Sequence, residues 1–383
     1  MQFKEIIGQD EVKQRLIKSV KEGRIAHAQL LVGQEGTGKL ALAIAYAQYI
    51  ACTNKGDNDS CGTCPACHKF QKLIHPDLHF AFPVNEQKKS DDDDDDDKSK
   101  LKGSDAFIQE WRDTLLENPY ITESQWYNII GLENKLGIIS TGESSEVIKK
   151  LGFKSFEAEY KAMIIWLPER MNHSAANKLL KLIEEPPAKT IFLLVTENPE
   201  GIIGTILSRT QIIKVPPVAR EEISSALVER FNLTPSKAQD ISRVANGNYQ
   251  VALTLVQSDD ANPYFNFFRE LMRYCYSNDV LGLLEWVGKV ARLSREKQKD
   301  LLNYSLGVIR ESFMLNLGLD DIVYIAGEEE EFGKKFSPFV NGQNIAKIYQ
   351  EFNLAIEHIS RYGNAQIVLT DLTMKLVKLI NKK

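Results

Sequence analysis

The sequence predicts an α/β domain with a parallel sheet, followed by an all-helical region. Apolar runs that are typical of buried strands occur at 29–32, 162–166 and 191–195, and helical patterns separate them. Residues 78–84 are predicted to form another strand. Strands that alternate with helices favour a parallel sheet. From Arg220 onward the pattern is almost wholly helical. The chain therefore predicts one α/β unit followed by helical units.

Residues 33–40 form the motif around which the chain is organised. The stretch Gly-Gln-Glu-Gly-Thr-Gly-Lys-Leu follows the first strand and opens a helical pattern, as does the phosphate-binding loop G-x-x-x-x-G-K-[ST]. Backbone N–H groups and the helix N-terminus would attract an anion. The nucleotide-binding residues of this vestigial loop would be Gly33, Gly36, Gly38 and Lys39. Leu40 replaces the hydroxyl that holds Mg²⁺, so binding of ATP or ADP stays open, and a plain strand–turn–helix is the alternative.

Four of the five cysteines form a cluster with the spacing Cys-x8-Cys-x2-Cys-x2-Cys, at Cys52, Cys61, Cys64 and Cys67. Four thiolates satisfy one tetrahedral Zn²⁺, and in a cytosolic protein such a cluster more often binds metal than forms disulfides. We therefore expect a structural zinc module at about 52–67, with four free thiols as the alternative. Cys275 lies in an apolar helical stretch and is expected to be a small buried hydrophobe.

The composition is that of an ordinary globular protein, with 383 residues, 43% apolar and 26% charged. The sequence has no run of about eighteen apolar residues and no apolar signal-peptide core, so we expect a cytoplasmic protein without a membrane span. The net charge is −5, and the aspartate run 91–97 accounts for it. No basic nucleic-acid footprint is visible in these totals.

A polar segment at about 86–104 contains that aspartate run, and we expect it to be a solvated surface loop. An acidic mimic of nucleic acid is the alternative. Residues 105–137 carry aromatic and helical patterning, which predicts an ordered insertion. The sequence gives no functional account of this acidic and aromatic insertion at about 86–137.

The order of the motifs resembles a known family. In addition to the phosphate loop and the cysteines, the motifs are Ile6-Ile7-Gly8-Gln9, His27-Ala28-Gln29, Leu-Ile-Glu-Glu-Pro-Pro at 182–187 and Ile-Leu-Ser-Arg-Thr at 206–210. This plan is similar to that of the AAA+ clamp-loader subunits of bacterial DNA polymerase III, a family that includes the gamma/tau ATPase and the delta-prime type. The resemblance implies an AAA+ α/β domain at 1–215, a helical lid at 216–257 and a helical collar for oligomerisation at 258–383.

The same resemblance bears on catalysis. Active members have an Asp-Glu pair at the end of the strand before the 174–185 helix, and this chain has Trp166 and Leu167 there. A lid position that carries a sensing arginine in the ATPases is Gln250. Phosphoryl transfer depends on those groups together, so we expect no intrinsic ATPase activity. Arg209 matches the family's Ser-Arg-Cys motif, which implies an arginine finger that acts in trans on a neighbouring subunit; a surface arginine in a turn is the alternative.

These features favour a non-hydrolysing subunit of the delta-prime type within the DNA polymerase III holoenzyme. The resemblance implies gamma/tau and delta subunits, the sliding clamp and primer–template DNA as partners, and no membrane. One alternative is an active ATPase of the gamma/tau type. Another is a zinc-dependent nucleic-acid-binding protein on a degenerate AAA+ scaffold.

Overall fold

The structure is a computed structural model that describes residues 1–85, 103–132, 136–257, 263–319, 323, 328–361 and 363–381. The predicted solvated loop falls largely on 86–102, which lies outside the described residues. The chain divides into two compact units. The first unit comprises Met1–Ala226 and Gly247–Val251, and the second comprises Leu227–Asn246 and Ala252–Lys383. The finer division into domain, lid and collar stays a prediction.

The first unit is built on a five-stranded sheet. Its strands are β1 (Ala28–Val32), β2 (Leu78–Ala81), β3 (Lys161–Trp166), β4 (Thr190–Thr196) and β5 (Gln211–Lys214). The order is β2-β3-β4-β1-β5, and every pairing is parallel. β3 and β4 are buried along their whole length, as expected for central strands that are covered on both faces. The predicted α/β fold class is confirmed.

The strand predicted at 78–84 is shorter in the structure and ends at Ala81. The amide of Phe82 donates a hydrogen bond to Ser104 Oγ instead of to a neighbouring strand. Pro83 has no N–H group to offer to the ladder. The apolar run therefore continues past the end of β2, and Val84 forms an isolated antiparallel bridge with Ile138.

Helices cover both faces of the sheet. In chain order they are α1 (Asp10–Lys21), α2 (Lys39–Ala51), α3 (Pro65–Gln71), α4 (Ile108–Glu117), α5 (Glu123–Ile129), α6 (Thr141–Gly152), α7 (His173–Glu184) and α8 (Gly204–Leu207). Successive strand residues point to opposite faces. Leu31 belongs to the core that contains α2, whereas Leu30 belongs to the core that contains α7. This two-sided burial fixes the positions of the loops at the strand ends.

Helices are the regular elements of the second unit among its described residues, as predicted. Two helices cross the boundary between the units, α9 (Arg220–Phe231) and α11 (Tyr249–Gln257). The others are α10 (Pro235–Ala245), α12 (Pro263–Ser277), α13 (Val280–Val290), α14 (Arg295–Asn316), α15 (Glu328–Phe336), α16 (Ile345–Ser360) and α17 (Ala365–Ile380). Cys275 is buried in their core, where burial raises the pKa of its thiol to about 12, which confirms the expected buried cysteine. None of the described helices combines the length and apolarity that a bilayer crossing requires.

Candidate functional site

The phosphate loop lies at the carboxyl end of β1, and Lys39 is the first residue of α2. Gly36 and Gly38 have φ angles of 69° and 83°, a conformation that favours glycine. A Cβ on Gly36 would lie 1.8 Å from Asn248 Oδ1, so this side chain already lies against the loop. The backbone has the predicted strand–loop–helix form, and groups from elsewhere in the first unit cover it.

Lys39, the lysine expected to reach phosphate, instead forms a hydrogen bond and an ion pair with other groups of the chain. Its side chain is only 5% exposed, and its Nζ donates a hydrogen bond to the carbonyl oxygen of Gln34 and lies 3.5 Å from Glu197 Oε1. Burial lowers the pKa of Lys39, and the negative charge of Glu197 opposes that change. Burial raises the pKa of Glu197, and Lys39 opposes it. The two groups therefore form a partly buried ion pair within the loop.

Tyr120, from the segment between α4 and α5, lies directly over the start of α2. Its ring carbon Cε1 is 3.0 Å from the position that a Cβ of Gly38 would occupy. Its hydroxyl accepts a hydrogen bond of 3.0 Å from the amide of Ile7, and its ring packs at 4.9 Å against Tyr249. The predicted insertion is thus ordered at 103–132, and it covers one side of the phosphate loop.

Gln250, where the resemblance implies a sensing arginine in the ATPases, is 6% exposed. Its Oε1 accepts a hydrogen bond of 2.6 Å from Asn118 Nδ2. The preceding residue, Tyr249, donates its amide to the carbonyl oxygen of Gly36. An uncharged amide that is hydrogen-bonded to the insertion therefore occupies this position.

The end of β3 carries no carboxylate on its last strand residue or on the next one. Trp166 is 4% exposed and packs at 5.1 Å against Trp111, and Leu167 is 3% exposed. Glu169 lies farther along, where it accepts a hydrogen bond of 2.9 Å from Thr196 Oγ1. Burial raises the pKa of Glu169. An apolar aromatic cluster thus stands where the resemblance implies metal-binding chemistry in active members.

Arg209 lies in the turn between α8 and β5 and is 38% exposed. Its Nε forms an ion pair with Glu184, the last residue of α7. Its Nη1 donates hydrogen bonds to the carbonyl oxygen of Thr205 at 3.0 Å and to Ser208 Oγ at 3.1 Å. No described residue accepts a hydrogen bond from Nη2. One nitrogen of the guanidinium is therefore available to an external group.

The structure brings the four predicted cysteines together. All four Sγ atoms lie within 4.8 Å of one another, in a group of residues that could hold a metal ion. The Sγ atom of Cys61 is 3.6 Å from that of Cys52 and 3.9 Å from that of Cys67, and the Sγ atoms of Cys64 and Cys52 are 4.0 Å apart. These distances exclude disulfide bonds, whose sulfur atoms are about 2.05 Å apart.

Backbone amides of the cluster favour the thiolate form of two cysteines. Cys61 Sγ accepts hydrogen bonds from the amides of Thr63 and Cys64, which lower the pKa of its thiol. Burial opposes ionisation of Cys64, but hydrogen bonds from backbone amides and from Thr53 lower its pKa to about 5. Burial raises the pKa of Cys52 and Cys67. Thiolates are the form of cysteine that binds metals.

A family model described as "DNA polymerase III, delta subunit" matches residues 8–219. This stretch contains the phosphate loop, the cysteine cluster and Arg209. The chain belongs to this family. Membership confirms the resemblance that the motif order predicted.

Relatives named DNA polymerase III subunit delta' support the assignment. The protein of Bacillus subtilis (strain 168) is 28% identical over 252 residues, which are 66% of this chain and 60% of that relative. The protein of Escherichia coli (strain K12) is 23% identical over 371 residues, which are 95% of this chain and 92% of that relative.

The solved structure of a gamma subunit-related protein from Thermotoga maritima is 14% identical, with a TM-score of 0.38, and the match covers 98% of this chain and 100% of that chain.

Sequence reasoning missed three groups at the phosphate loop: Asn118, Tyr120 and Glu197. Glu197 follows β4 directly, and β4 pairs with β1. Because parallel strands end at the same edge of a sheet, this carboxylate could have been expected near Lys39. Asn118 and Tyr120 lie in the insertion, and no local pattern places an insertion on a distant loop.

Proposed function

We propose that this chain is the non-hydrolysing delta-prime subunit of the DNA polymerase III clamp loader. In this role it is a stator that completes a ring of subunits. It supplies Arg209 in trans to a neighbouring ATPase while its own phosphate loop stays silent. The loader would place the sliding clamp on primed DNA during replication.

One contrast carries the proposal. Lys39 is 5% exposed and paired with Glu197, whereas Arg209 is 38% exposed and has a nitrogen without a hydrogen-bond partner among the described residues. A lysine that binds phosphate must face the ligand, and this lysine faces a carboxylate. The contrast supports a chain whose own loop is closed and whose arginine is presented outward.

Three further features support a phosphate loop that does not hydrolyse ATP. Tyr120 packs beside Gly38, in space that a ligand on the loop would approach. Trp166 and Leu167 can neither bind Mg²⁺ nor orient an attacking water. Leu40 is buried and has no hydroxyl for the metal. Because positioning and electrostatics supply nearly all the catalysis of phosphoryl transfer, their joint loss is expected to abolish hydrolysis.

Arg209 would act on the ATP of the adjoining subunit. Charge spreads over the oxygens of the transferred phosphoryl group in the transition state, and a guanidinium supplied in trans stabilises it. In GTPases such an arginine is worth roughly 10³–10⁵ in rate. Nη2 of Arg209, which donates to no described residue, suits this task, since its two N–H groups can donate to phosphate oxygens.

The partners proposed for this chain follow from the family. They are gamma/tau and delta subunits, the sliding clamp and primer–template DNA. Relatives of this chain include the tau subunit of Bacillus subtilis (strain 168), which is 22% identical over 302 residues. We propose that the helical region at 258–383 is the collar that joins this chain to those subunits.

The cysteine cluster is proposed to hold one structural Zn²⁺. A tetrahedron with Zn–S bonds of about 2.3 Å requires sulfur–sulfur distances of about 3.8 Å. Three of the pairs, at 3.6, 3.9 and 4.0 Å, fit that requirement, and all four Sγ atoms lie within 4.8 Å of one another. Cys52, Cys61, Cys64 and Cys67 would fill all four positions, so the metal would tie the end of α2 to α3 and leave no open position for catalysis.

The direct test is reconstitution with gamma/tau and delta subunits. The isolated chain should show no ATPase activity above background and no binding of a fluorescent ATP analogue. Adding it to the other subunits should raise ATPase activity that depends on the clamp and primed DNA. Hydrolysis by the isolated chain would contradict the proposal and favour the active gamma/tau type of ATPase. Tight binding to primed DNA by the isolated chain, lost when zinc is removed, would favour the nucleic-acid-binding alternative.

A further inference from the structure

Glu184 lies close to the proposed arginine finger, and neither the motif order nor the family membership assigns it a role. We propose that Glu184 is a positioning residue, which holds the guanidinium of Arg209 so that Nη2 faces the neighbouring subunit. This inference rests on the proposed function of Arg209. It adds a residue that sets the orientation of the finger without touching the phosphate.

The two residues meet because both elements are anchored in one core. Ile183, next to Glu184, and Ile206, in α8, are each 0% exposed and belong to the same cluster beneath the sheet. The amide of Arg209 donates to the carbonyl oxygen of Ile206, which fixes the turn that carries the arginine. The backbones of the pair are therefore held, and only the long side chain of Arg209 needs a further restraint.

Three acceptors restrain that side chain from two sides. Glu184 pairs with Nε, and the carbonyl oxygen of Thr205 and Ser208 Oγ accept from Nη1. A planar guanidinium that is held at Nε and Nη1 has a defined plane and a defined direction for its third nitrogen. Only Nη2 then remains for a phosphate of the neighbouring subunit.

Stability alone does not account for the pair. Both side chains are 38% exposed, and ion pairs as exposed as this contribute little to folding. Holding an arginine near its reacting position has a much larger effect on rate, because a misplacement of about 1 Å costs roughly a hundredfold. The pair is therefore expected to affect turnover more than stability.

The test uses the assembled loader and the variants Glu184→Ala, Glu184→Gln and Glu185→Ala. Glu185 is the matched control, since it is adjacent, exposed and without an ion pair to a described residue. The readout is the Arg209-dependent turnover, which is the part of the ATPase activity that Arg209→Ala removes. Glu184→Ala should lower it about tenfold, since Thr205 and Ser208 still hold Nη1. The KM for ATP should stay within about twofold, because the neighbouring subunit binds the nucleotide.

Two further results distinguish positioning from a general structural effect. Glu184→Gln should retain more turnover than Glu184→Ala, because the amide oxygen still accepts from Nε. In an Arg209→Ala background, Glu184→Ala should cause no additional loss, since the residue acts only through the arginine.

Each contrary result has a distinct meaning. Unchanged turnover in Glu184→Ala, or an additional loss in the Arg209→Ala background, would overturn the positioning role. Higher turnover would also overturn it, because the carboxylate would then be sequestering the finger. If Arg209→Ala itself had no effect, the proposed function would fail first; if Arg209→Ala lost turnover while Glu184→Ala did not, only the positioning role would fail.

Discussion

The hydrogen bond from the amide of Ile7 to the hydroxyl of Tyr120 ties the insertion to the segment before α1, where the Tyr120 ring lies beside Gly38 of the phosphate loop. This bond gives a quantitative prediction. Tyr120→Phe removes the hydroxyl oxygen and keeps the ring that packs beside Gly38. Tyr120 and Ile7 are 4% and 7% exposed, so water cannot easily replace the lost acceptor. A buried donor left unsatisfied costs about 1–3 kcal/mol, and we expect the free energy of unfolding of the first unit to fall by that amount.

Urea unfolding followed by tryptophan fluorescence suits this test, because three of the four tryptophans, Trp111, Trp126 and Trp166, lie in the first unit. The matched control is Tyr160→Phe, whose hydroxyl makes no hydrogen bond to a described residue; its stability should change by less than about 0.5 kcal/mol. If Tyr120→Phe changed the stability no more than Tyr160→Phe does, the hydrogen bond would not be holding the insertion on the loop, and that reasoning would be refuted.

Three further predictions concern other parts of the chain. Protein purified without chelator should carry about one zinc per chain. Cys61→Ser should lose the zinc and destabilise the first unit while the second unit stays folded. Four freely reactive thiols and no metal would contradict this prediction. Deleting 88–102 should leave the melting temperature and ring assembly nearly unchanged, and a large loss of either would reveal a role for the acidic segment. Burial lowers the pKa of His79 in the folded state to about 4, whereas its ordinary value is about 6.5. Between these two pH values the unfolded state binds more protons than the folded state, so the free energy of unfolding should fall as the pH falls through that range. His79→Gln should flatten that dependence, and an unchanged slope would show that other groups cause it.

The sheet could be predicted because its central strands are buried on both faces. β3 and β4 read as continuous apolar runs, and the helices between strands require parallel connections. The cysteine cluster could also be predicted, because its short spacings bring the four cysteines together within one local segment. These features depend on residues that are close in sequence or on a period that a strand imposes.

The cover over the phosphate loop could not be predicted in the same way. Patterning indicated an ordered insertion, and Trp111 and Trp126 are indeed fully buried. Their rings pack around Phe82, at centroid distances of 4.2 and 5.0 Å, so the insertion is held by contacts to the end of β2. That packing brings Tyr120 to Gly38, and no repeat or spacing in the sequence encodes such a long-range contact. The ion pair of Glu184 with Arg209 was missed for the same reason.

The most direct test of the central claim compares Arg209→Ala with Lys39→Met in the assembled loader. Lys39→Met keeps the length of the buried side chain and removes its charge, and Arg24→Ala is the control because Arg24 is an exposed arginine that also pairs with a glutamate. ATPase activity stimulated by the clamp and primed DNA is measured for loaders that contain each variant. Arg209→Ala should abolish the turnover of the adjoining site, whereas Lys39→Met and Arg24→Ala should leave the activity nearly unchanged. Loss of activity in Lys39→Met together with full activity in Arg209→Ala would contradict the account.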